Sequence, residues 1–353
     1  MLSVMAYVEP QHEPQVVDLA GDSLVGLVDA AATPLPLFES LPIINNWRGA
    51  HGYPLNTFNQ TLRRWTHDID PSGVVYTRIK RLPAIEQKLR DHNPESKNPL
   101  KLSEIQDIGG CRSVVSTVEQ VYRLVSRYKD SEIKHTFEYE NDYIQQPRSS
   151  GYRSVHRIYR HFSRTRPMYN GLRIEIQLRS QLQHTWATAV ETSDTMLSMA
   201  LKSNRGEKDW KRFFILMGSA IALRENCPPV QNSHKTESSL KPAIQELATK
   251  LDVLNRLRNF GTYLQVTQGG GGAGNHYQVL VLDPTANTLI IYGFRASQSE
   301  EAYAQYLQME RTKPSGGDVV LVAVADMAAI RRAYPNYHLD TQAFRDLLLE
   351  ITS

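Results

Sequence analysis

Two carboxylates stand among cations at spacings that allow chemistry: Asp107, just ahead of Gly109-Gly110, and Glu175, inside Leu172-Arg173-Ile174-Glu175-Ile176-Gln177-Leu178-Arg179. In the second stretch the even positions are apolar and the odd ones charged or amide. Side chains alternate across a strand, so Leu172, Ile174, Ile176 and Leu178 are predicted to face a core. Arg173, Glu175, Gln177 and Arg179 then line the other face, about 7 Å between successive members. One carboxylate among several cations on a rigid strand suits acid–base or metal chemistry on a polyanion. A solvated strand face with a single satisfied salt bridge is the alternative.

Three further clusters have matching chemistry. Arg78-Ile79-Lys80 puts two cations on one strand face, with Lys88 and Arg90 on the helix that follows; basic pairs at this spacing are also common on edge strands. In Asp107-Ile108-Gly109-Gly110-Cys111-Arg112, glycine permits close backbone approach to a ligand. There Asp107 can bind Mg²⁺ through oxygen and Arg112 can stack or fork, although a turn aspartate is the ordinary role of such a residue. Pro147 and Gly151 flank a turn carrying Arg148, after which Tyr152, Ser154 and His156 alternate. Tyr152 offers a stacking face for a base, while Arg148 and His156 can hold phosphate. Asp107 and Glu175 together can hold Mg²⁺ and leave Glu175 beside an acceptor hydroxyl as general base.

The elements that must position these residues are mixed. After an irregular lead and a short helix within the first 40 or so residues, a helix is predicted from residue 43 to near His67, then a strand over 74–80 and a helix opened by Pro83. A strand over 111–115 precedes a helix over 118–129 whose apolar face is Val121, Leu124, Val125 and Tyr128. The strand 172–179 leads into a helix from Gln181 through Ala200. Such an order predicts an α+β domain, a mixed sheet with flanking helices. Residues 227–233 (CPPVQNS) break the pattern as a linker, and a helix is predicted over 237–260. The tail adds strands at 263–268, 276–283, 288–294 and 318–326 and helices at 299–311, 327–334 and 340–351. The glycine run 269–272 lacks the Gly-Lys-Ser/Thr and helix of a phosphate loop and is expected to be a mobile hairpin loop. The predicted division is a catalytic domain over 1–228, a linker and connecting helix over 229–262, and a small α/β domain over 263–353.

Composition bounds the function classes. The 353 residues are 41% hydrophobic and 22% charged with net charge +3, so no whole-surface cation argument for nucleic acid is available. Between Arg148 and Arg179, however, eight arginines face Glu175 as the sole acid, a local groove that suits phosphates or an RNA backbone. Two cysteines, Cys111 and Cys227, build neither a disulfide framework nor a Cys-rich zinc site. The N-terminus has no basic region ahead of an apolar core, and the apolar run 213–223 is too short to span a bilayer. A cytoplasmic monomer without membrane attachment is expected.

The order R-x-K at 78–80, D-I-x-G-x-R at 107–112, D-Y-I-x-x-P-R-x-x-G-Y-R-S-x-H at 142–156 and E-I-Q-x-R at 175–179 resembles the synthetase domain of RelA/SpoT-type alarmone synthetases, over about residues 40–200. The resemblance implies a nucleotidyltransferase-like fold and an ATP-dependent pyrophosphotransferase that moves pyrophosphate from ATP to a 3′-hydroxyl. By motif, Arg78 and Arg112 would sandwich adenine and Lys80 and Lys88 hold the ATP phosphates. Asp107 and Glu175 would bind Mg²⁺, with Glu175 activating the hydroxyl. Tyr152 would stack on the acceptor base, and Arg148, His156, Gln177 and Arg179 would position phosphates and ribose. Cys111, where a branched aliphatic is more usual, and Trp186 depart from the pattern. His67-Asp68 matches the family's hydrolase dipeptide, but too little chain precedes it for the remaining ligands, so synthesis alone is expected.

The tail resembles the pseudo-zinc-finger antitoxin domain of fused toxin–antitoxin proteins of the CapRel type, without cysteine pairs and so without metal. Tyr334-Pro335-Asn336-Tyr337 matches that group's Y-x-x-Y neutralisation motif, which docks on the catalytic domain and obstructs ATP binding; packing of both rings at a helix end is the alternative. This second resemblance implies transfer to the 3′-terminal adenosine of the tRNA CCA end, which blocks translation. It further implies autoinhibition by the tail and release by a phage protein such as a major capsid protein. The other reading is an alarmone synthetase acting on free guanosine or adenosine nucleotides, with a regulatory tail.

Overall fold

The computed structural model describes residues 7–26, 35–92, 99–200, 207–231, 233, 236–263, 265–269, 277–283, 288–295, 298–312, 318–323 and 341–353. Contacts divide the chain into two compact units, Met1–Asp142 with Ser154–Ser180, and Tyr143–Arg153 with Gln181–Ser353.

The first unit is a five-stranded mixed sheet with helices. Its strands are β1 (Val74–Ile79), β2 (Gly109–Val115), β3 (Thr136–Asp142), β4 (Val155–Arg160) and β5 (Arg173–Ser180), in the order β1-β2-β5-β4-β3. β2 and β5 run parallel; the other pairs are antiparallel. The helices are α1 (Pro14–Val25), α2 (Leu37–Ala50), α3 (Gly52–Ile69), α4 (Leu82–His92) and α5 (Val118–Lys129). The single helix predicted from residue 43 is in fact α2 and α3, parted at His51, whose N–H bonds back to Arg48. Helix α5 begins and ends where its spacing predicts. Thr117 caps it, accepting from Gln120 N, and Val121, Leu124, Val125 and Tyr128 are buried.

On β5 the alternation holds for the inner face: Leu172, Ile174, Ile176 and Leu178 are at most 5% exposed. The solvated outer face offered as the alternative is overturned, since Glu175, Gln177 and Arg179 are also buried, at 8, 7 and 1%. β5 is the middle strand of five, and side chains of both neighbouring strands, Arg112 from β2 and His156 from β4, close over its polar residues. Helices α3 and α5 lie on the inner face, where Thr66 bonds Ser113 and Cys111 donates to the carbonyl of Leu55. The His67-Asp68 dipeptide ends α3, and Asp68 pairs with Arg127 at 2.8 Å.

In the second unit, α6 (Gln181–Ala200), α7 (Glu207–Arg224), α8 (Glu237–Lys250), α9 (Val253–Tyr263) and α11 (Gln342–Thr352) share one core, with Trp210, Phe213, Phe214 and Phe344 in ring contact. Asp252, at φ 49°, breaks the helix predicted over 237–260 into α8 and α9. Within the proposed linker Cys227 and Val230 are buried, and Val230 N bonds Ser219 Oγ. Strands β6 (Gln265–Gly269), β7 (Tyr277–Asp283), β8 (Thr288–Phe294) and β9 (Asp318–Ala323) form a sheet in the order β6-β8-β7-β9. Helix α10 (Ser299–Thr312) lays Tyr306 against Val279, Val281 and Val319. β6 pairs in parallel with β8, so the glycine-rich connection after it is a crossover and not the hairpin expected. Tyr334 and Tyr337 lie outside the described residues, as does the helix predicted over 327–334.

Candidate active site

Cross-strand register assembles the site on the outer face of the five-stranded sheet. Paired residues share a face, so Arg78, Gly110 and Glu175 form one row, and Tyr76, Arg112, Gln177 and His156 the next. Arg78 and Arg112 are therefore diagonal neighbours flanking Gly110, whose missing side chain would meet nothing closer than the Glu175 carbonyl at 3.8 Å. Gly109 has a different task. A Cβ there would sit 2.7 Å from Ile174 Cδ1, so this glycine lets the sheet pack, and only Gly110 opens the site face.

Within the second row the polar groups form a chain. Arg112 Nε donates to Gln177 Oε1 at 3.0 Å and Arg179 donates to the same oxygen at 2.9 Å. The Gln177 amide is thereby oriented to donate to Glu175 Oε2 at 2.6 Å, while His156 Nδ1 meets Glu175 Oε1 at 2.8 Å. Both Glu175 oxygens are thus held. Burial by itself raises the Glu175 carboxyl and the nearby Asp107 charge adds to that. The charge and hydrogen bond of His156, with the Gln177 bond, outweigh both and hold it below the usual carboxylate range.

Asp107 is gripped by two lysines, Lys80 at 2.6 Å and Lys88 at 2.8 Å. Lys80 is placed by backbone bonds, its N–H to Ile108 O and its carbonyl accepting from Arg48 Nε. Lys88 is placed by α4, which buries Ile85 and Leu89 at 0 and 1% exposure. Burial again raises the Asp107 carboxyl, but the two ammonium groups overcome it and hold it well below the carboxylate range. Burial, with the neighbouring Arg78 and Lys88 charges, lowers the Lys80 ammonium despite the charge and hydrogen bond of Asp107.

Of the residues singled out in the sequence, Arg78, Lys80, Lys88, Asp107, Arg112, His156, Gln177 and Arg179 thus gather with Glu175 in the first unit. Arg148 and Tyr152 belong to the second unit. There Arg148 closes a turn with Gly151 (φ +94°), stacks over Tyr143 at 4.5 Å and bonds its hydroxyl at 2.8 Å, and Tyr152 packs on the helical core. Trp186 is buried beside Gly151, its indole N–H bonded to Phe214 O at 2.9 Å.

The basic groove read from the arginines of 148–179 does not survive as such. Arg153, Arg157 and Arg179 are at most 2% exposed. Arg157 pairs with Glu140, and Arg160 and Arg173 both pair with Glu138. Those glutamates come from β3, an edge strand absent from the sequence-based expectation because Thr136-Phe137-Glu138-Tyr139-Glu140 carries no aliphatic alternation. Its alternating aromatic and acidic residues were the available signal. β3 also supplies Tyr139, whose hydroxyl bonds Gln106, the neighbour of Asp107.

Mg²⁺ takes oxygen ligands and is held by one or two carboxylates plus substrate phosphates. Asp107 and Glu175 offer that oxygen set and feel each other's charge, whereas among the described residues no cluster of three or more His, Cys, Asp or Glu could hold a metal unaided. The residues fit a cation that arrives with a nucleotide, where it would neutralise phosphate charge.

Comparison with known proteins agrees with this geometry. Residues 77–194 carry the region found in RelA / SpoT proteins. Over 122 residues the chain is 29% identical to the GTP pyrophosphokinase YwaC of Bacillus subtilis, covering 35% of this chain and 58% of that protein. Over 130 residues it is 28% identical to YjbM of the same organism, also a GTP pyrophosphokinase, covering 36% and 59%. The match therefore spans less than two thirds of either relative. A crystal structure of small alarmone synthetase 1 from Bacillus subtilis bound to its product pppGpp superposes with TM-score 0.41 and 21% identity, over 50% of this chain and 90% of that one. Among the described residues no helix is long and apolar enough to cross a membrane.

Proposed function

We propose that this protein transfers pyrophosphate from ATP to the 3′-hydroxyl of a purine nucleotide. The observation that carries the reading is the pair of carboxylates, Asp107 held by Lys80 and Lys88 and Glu175 held by His156 and Gln177, near enough that each feels the other's charge. In this reading Arg78 and Arg112 hold the adenine between them, and Lys80 and Lys88 exchange Asp107 for the ATP phosphates. Asp107, with Glu175, would hold a Mg²⁺ arriving with the nucleotide, which would neutralise phosphate charge. Glu175 takes the hydroxyl proton as the 3′-oxygen bonds to the β-phosphorus; the bond from that phosphorus to the α,β-bridging oxygen breaks, and AMP leaves with the electron pair. Gln177, Arg179 and His156 orient the acceptor, with Arg148 and Tyr152 as further acceptor contacts.

The relatives are named for GTP, and the pairing of Arg157, Arg160 and Arg173 with β3 glutamates removes cations an RNA backbone would use; both favour a free guanosine nucleotide as acceptor. The tail supports a second acceptor, the 3′-terminal adenosine of tRNA. Residues 265–353 hold a sheet, α10, α11 and the Tyr334–Tyr337 motif, none of it within the matched region. There the tail restrains the enzyme until a phage protein binds it. ATP labelled in its β- and γ-phosphates, supplied with GDP or with deacylated tRNA, separates the two by where the label goes. Label in neither, with protein that melts cooperatively, overturns pyrophosphate transfer altogether. Y334A/Y337A is expected to raise growth inhibition on expression or to abolish its dependence on a trigger; no change in either ends the restraint reading.

A further inference from the structure

The inner side of the same unit holds a cavity that the catalytic face does not use. Its volume is about 340 Å³, within the range of small-ligand sites, and it lies between α3, the end of α5 and the loops at 132–135 and 161–165. The walls are aromatic and braced. Tyr53 packs on Tyr169 at 4.7 Å and carries Arg166 over its ring at 5.1 Å. Phe58 lies 4.2 Å from His135, and His135 stacks on His161 at 5.1 Å and 29°.

The hydrogen bonds of the two imidazoles determine their tautomers. Phe162 N–H donates to His135 Nδ1 at 3.1 Å, so in the neutral ring the proton is on Nε2, a donor. His161 Nδ1 meets the carbonyl of Tyr169 at 3.2 Å, which requires the proton on Nδ1 and leaves Nε2 an acceptor. Burial lowers both rings, His135 to about 4 with further help from His161 and Lys134, so both are neutral at pH 7. Lys134 and Arg164 are exposed cations of the lining, whose one acid among the described residues is Glu132.

A donor and an acceptor between aromatic walls match the edge and face of a nucleobase, and two exposed cations match a phosphate. The geometry points to a second, non-catalytic site here for a nucleoside monophosphate, its base against Tyr53, Phe58 and the histidine pair and its phosphate toward Lys134 and Arg164.

The site is independent of the reaction assigned to the outer face, and its test is chosen accordingly. Full-length R112A protein, in which an adenine-holding residue of the outer face is removed, is titrated with adenosine or guanosine 5′-monophosphate while long-range ¹H–¹⁵N spectra follow the ring nitrogens of His135 and His161. Saturable shifts at both Nε2 positions are expected, with apparent affinity at least about tenfold weaker in K134A/R164A, which alters only exposed side chains, and in Thr57→Trp, which fills the cavity. Thermal melting checks that the filled variant folds. No shift at millimolar nucleotide, or shifts that K134A/R164A and Thr57→Trp leave unchanged, overturns the site whatever the label-transfer assay shows.

Discussion

The two faces of the five-stranded sheet are both buried, yet they are built from opposite materials. The inner face packs Ile174, Ile176 and Leu178 against α3 and α5, while the outer one buries Glu175, Gln177 and Arg179 in a chain of hydrogen bonds. Burial is thus no guide to which face is the core. Satisfaction is the better guide, because a buried charge persists only where partners offset its desolvation. β4 shows the same division within three residues. His156 turns outward to Glu175, and Arg157 turns inward to Glu140 and the rings of Tyr128, Phe137 and Tyr159. The first pair belongs to the hydrogen-bonded chain of the candidate site; the second is enclosed by rings and braces β3 against β4.

If that contrast is right, Glu175→Gln lowers transfer of label from ATP by about 10³-fold per folded molecule; the amide keeps only one of the two acceptor bonds, from Gln177 or from His156, so the melting temperature falls as well. Activity within tenfold of wild type would break the assignment of the outer face to chemistry. A different result is expected on the inner side. Arg157→Met leaves Glu140 without its buried partner, costing about 3 kcal/mol in chemical denaturation, and activity per folded molecule stays near normal.

The paired glycines sharpen the comparison further. Gly109→Ala meets Ile174 and is expected to cost about 1–3 kcal/mol. Gly110→Ala meets only the Glu175 carbonyl, at an ordinary contact distance of 3.8 Å, so it should cost under about 1 kcal/mol and act instead on KM for ATP; equal destabilisation by both would remove the distinction between a packing glycine and a site glycine. The smallest effect is one of pH. Asp70 accepts from both the N–H and the hydroxyl of Ser72 and of Ser116, at 2.6 to 2.9 Å. Burial raises it, and those four bonds reverse the sign and bring it to about 2. A depressed carboxyl adds stability above its unfolded value, about 3.9, that is lost as pH falls toward 2. Melting between pH 4 and 2 should therefore be steeper in wild type than in Asp70→Asn, and identical slopes would show that Asp70 takes no part in the acid limb.

Much of the site was legible in the chain because its residues sit on elements with clear periods. β5 alternates without interruption, α5 has both its cap and its apolar stripe, and the motif spacings at 78–80, 107–112 and 175–179 put candidates on neighbouring strands. What was not legible came from across the sheet. The arginines between 148 and 179 look like a groove until β3 pairs with β4 and delivers Glu138 and Glu140, a pairing that no local pattern announces. Likewise β6 looked like half of a hairpin with β7, whereas hydrogen bonding places it beside β8, a choice made by partners some twenty residues away.

From its own residues, then, the sequence determined which side chains carry charge, which strands alternate and which chemistry those groups can perform, since these follow from covalent spacing and backbone period. Only the tertiary structure decided which charges cancel, which glycine packs and which opens the face, and that two histidines on separate loops stack on each other beside Phe58. Such outcomes depend on register between strands distant in the chain, where a shift of one residue would exchange the two faces.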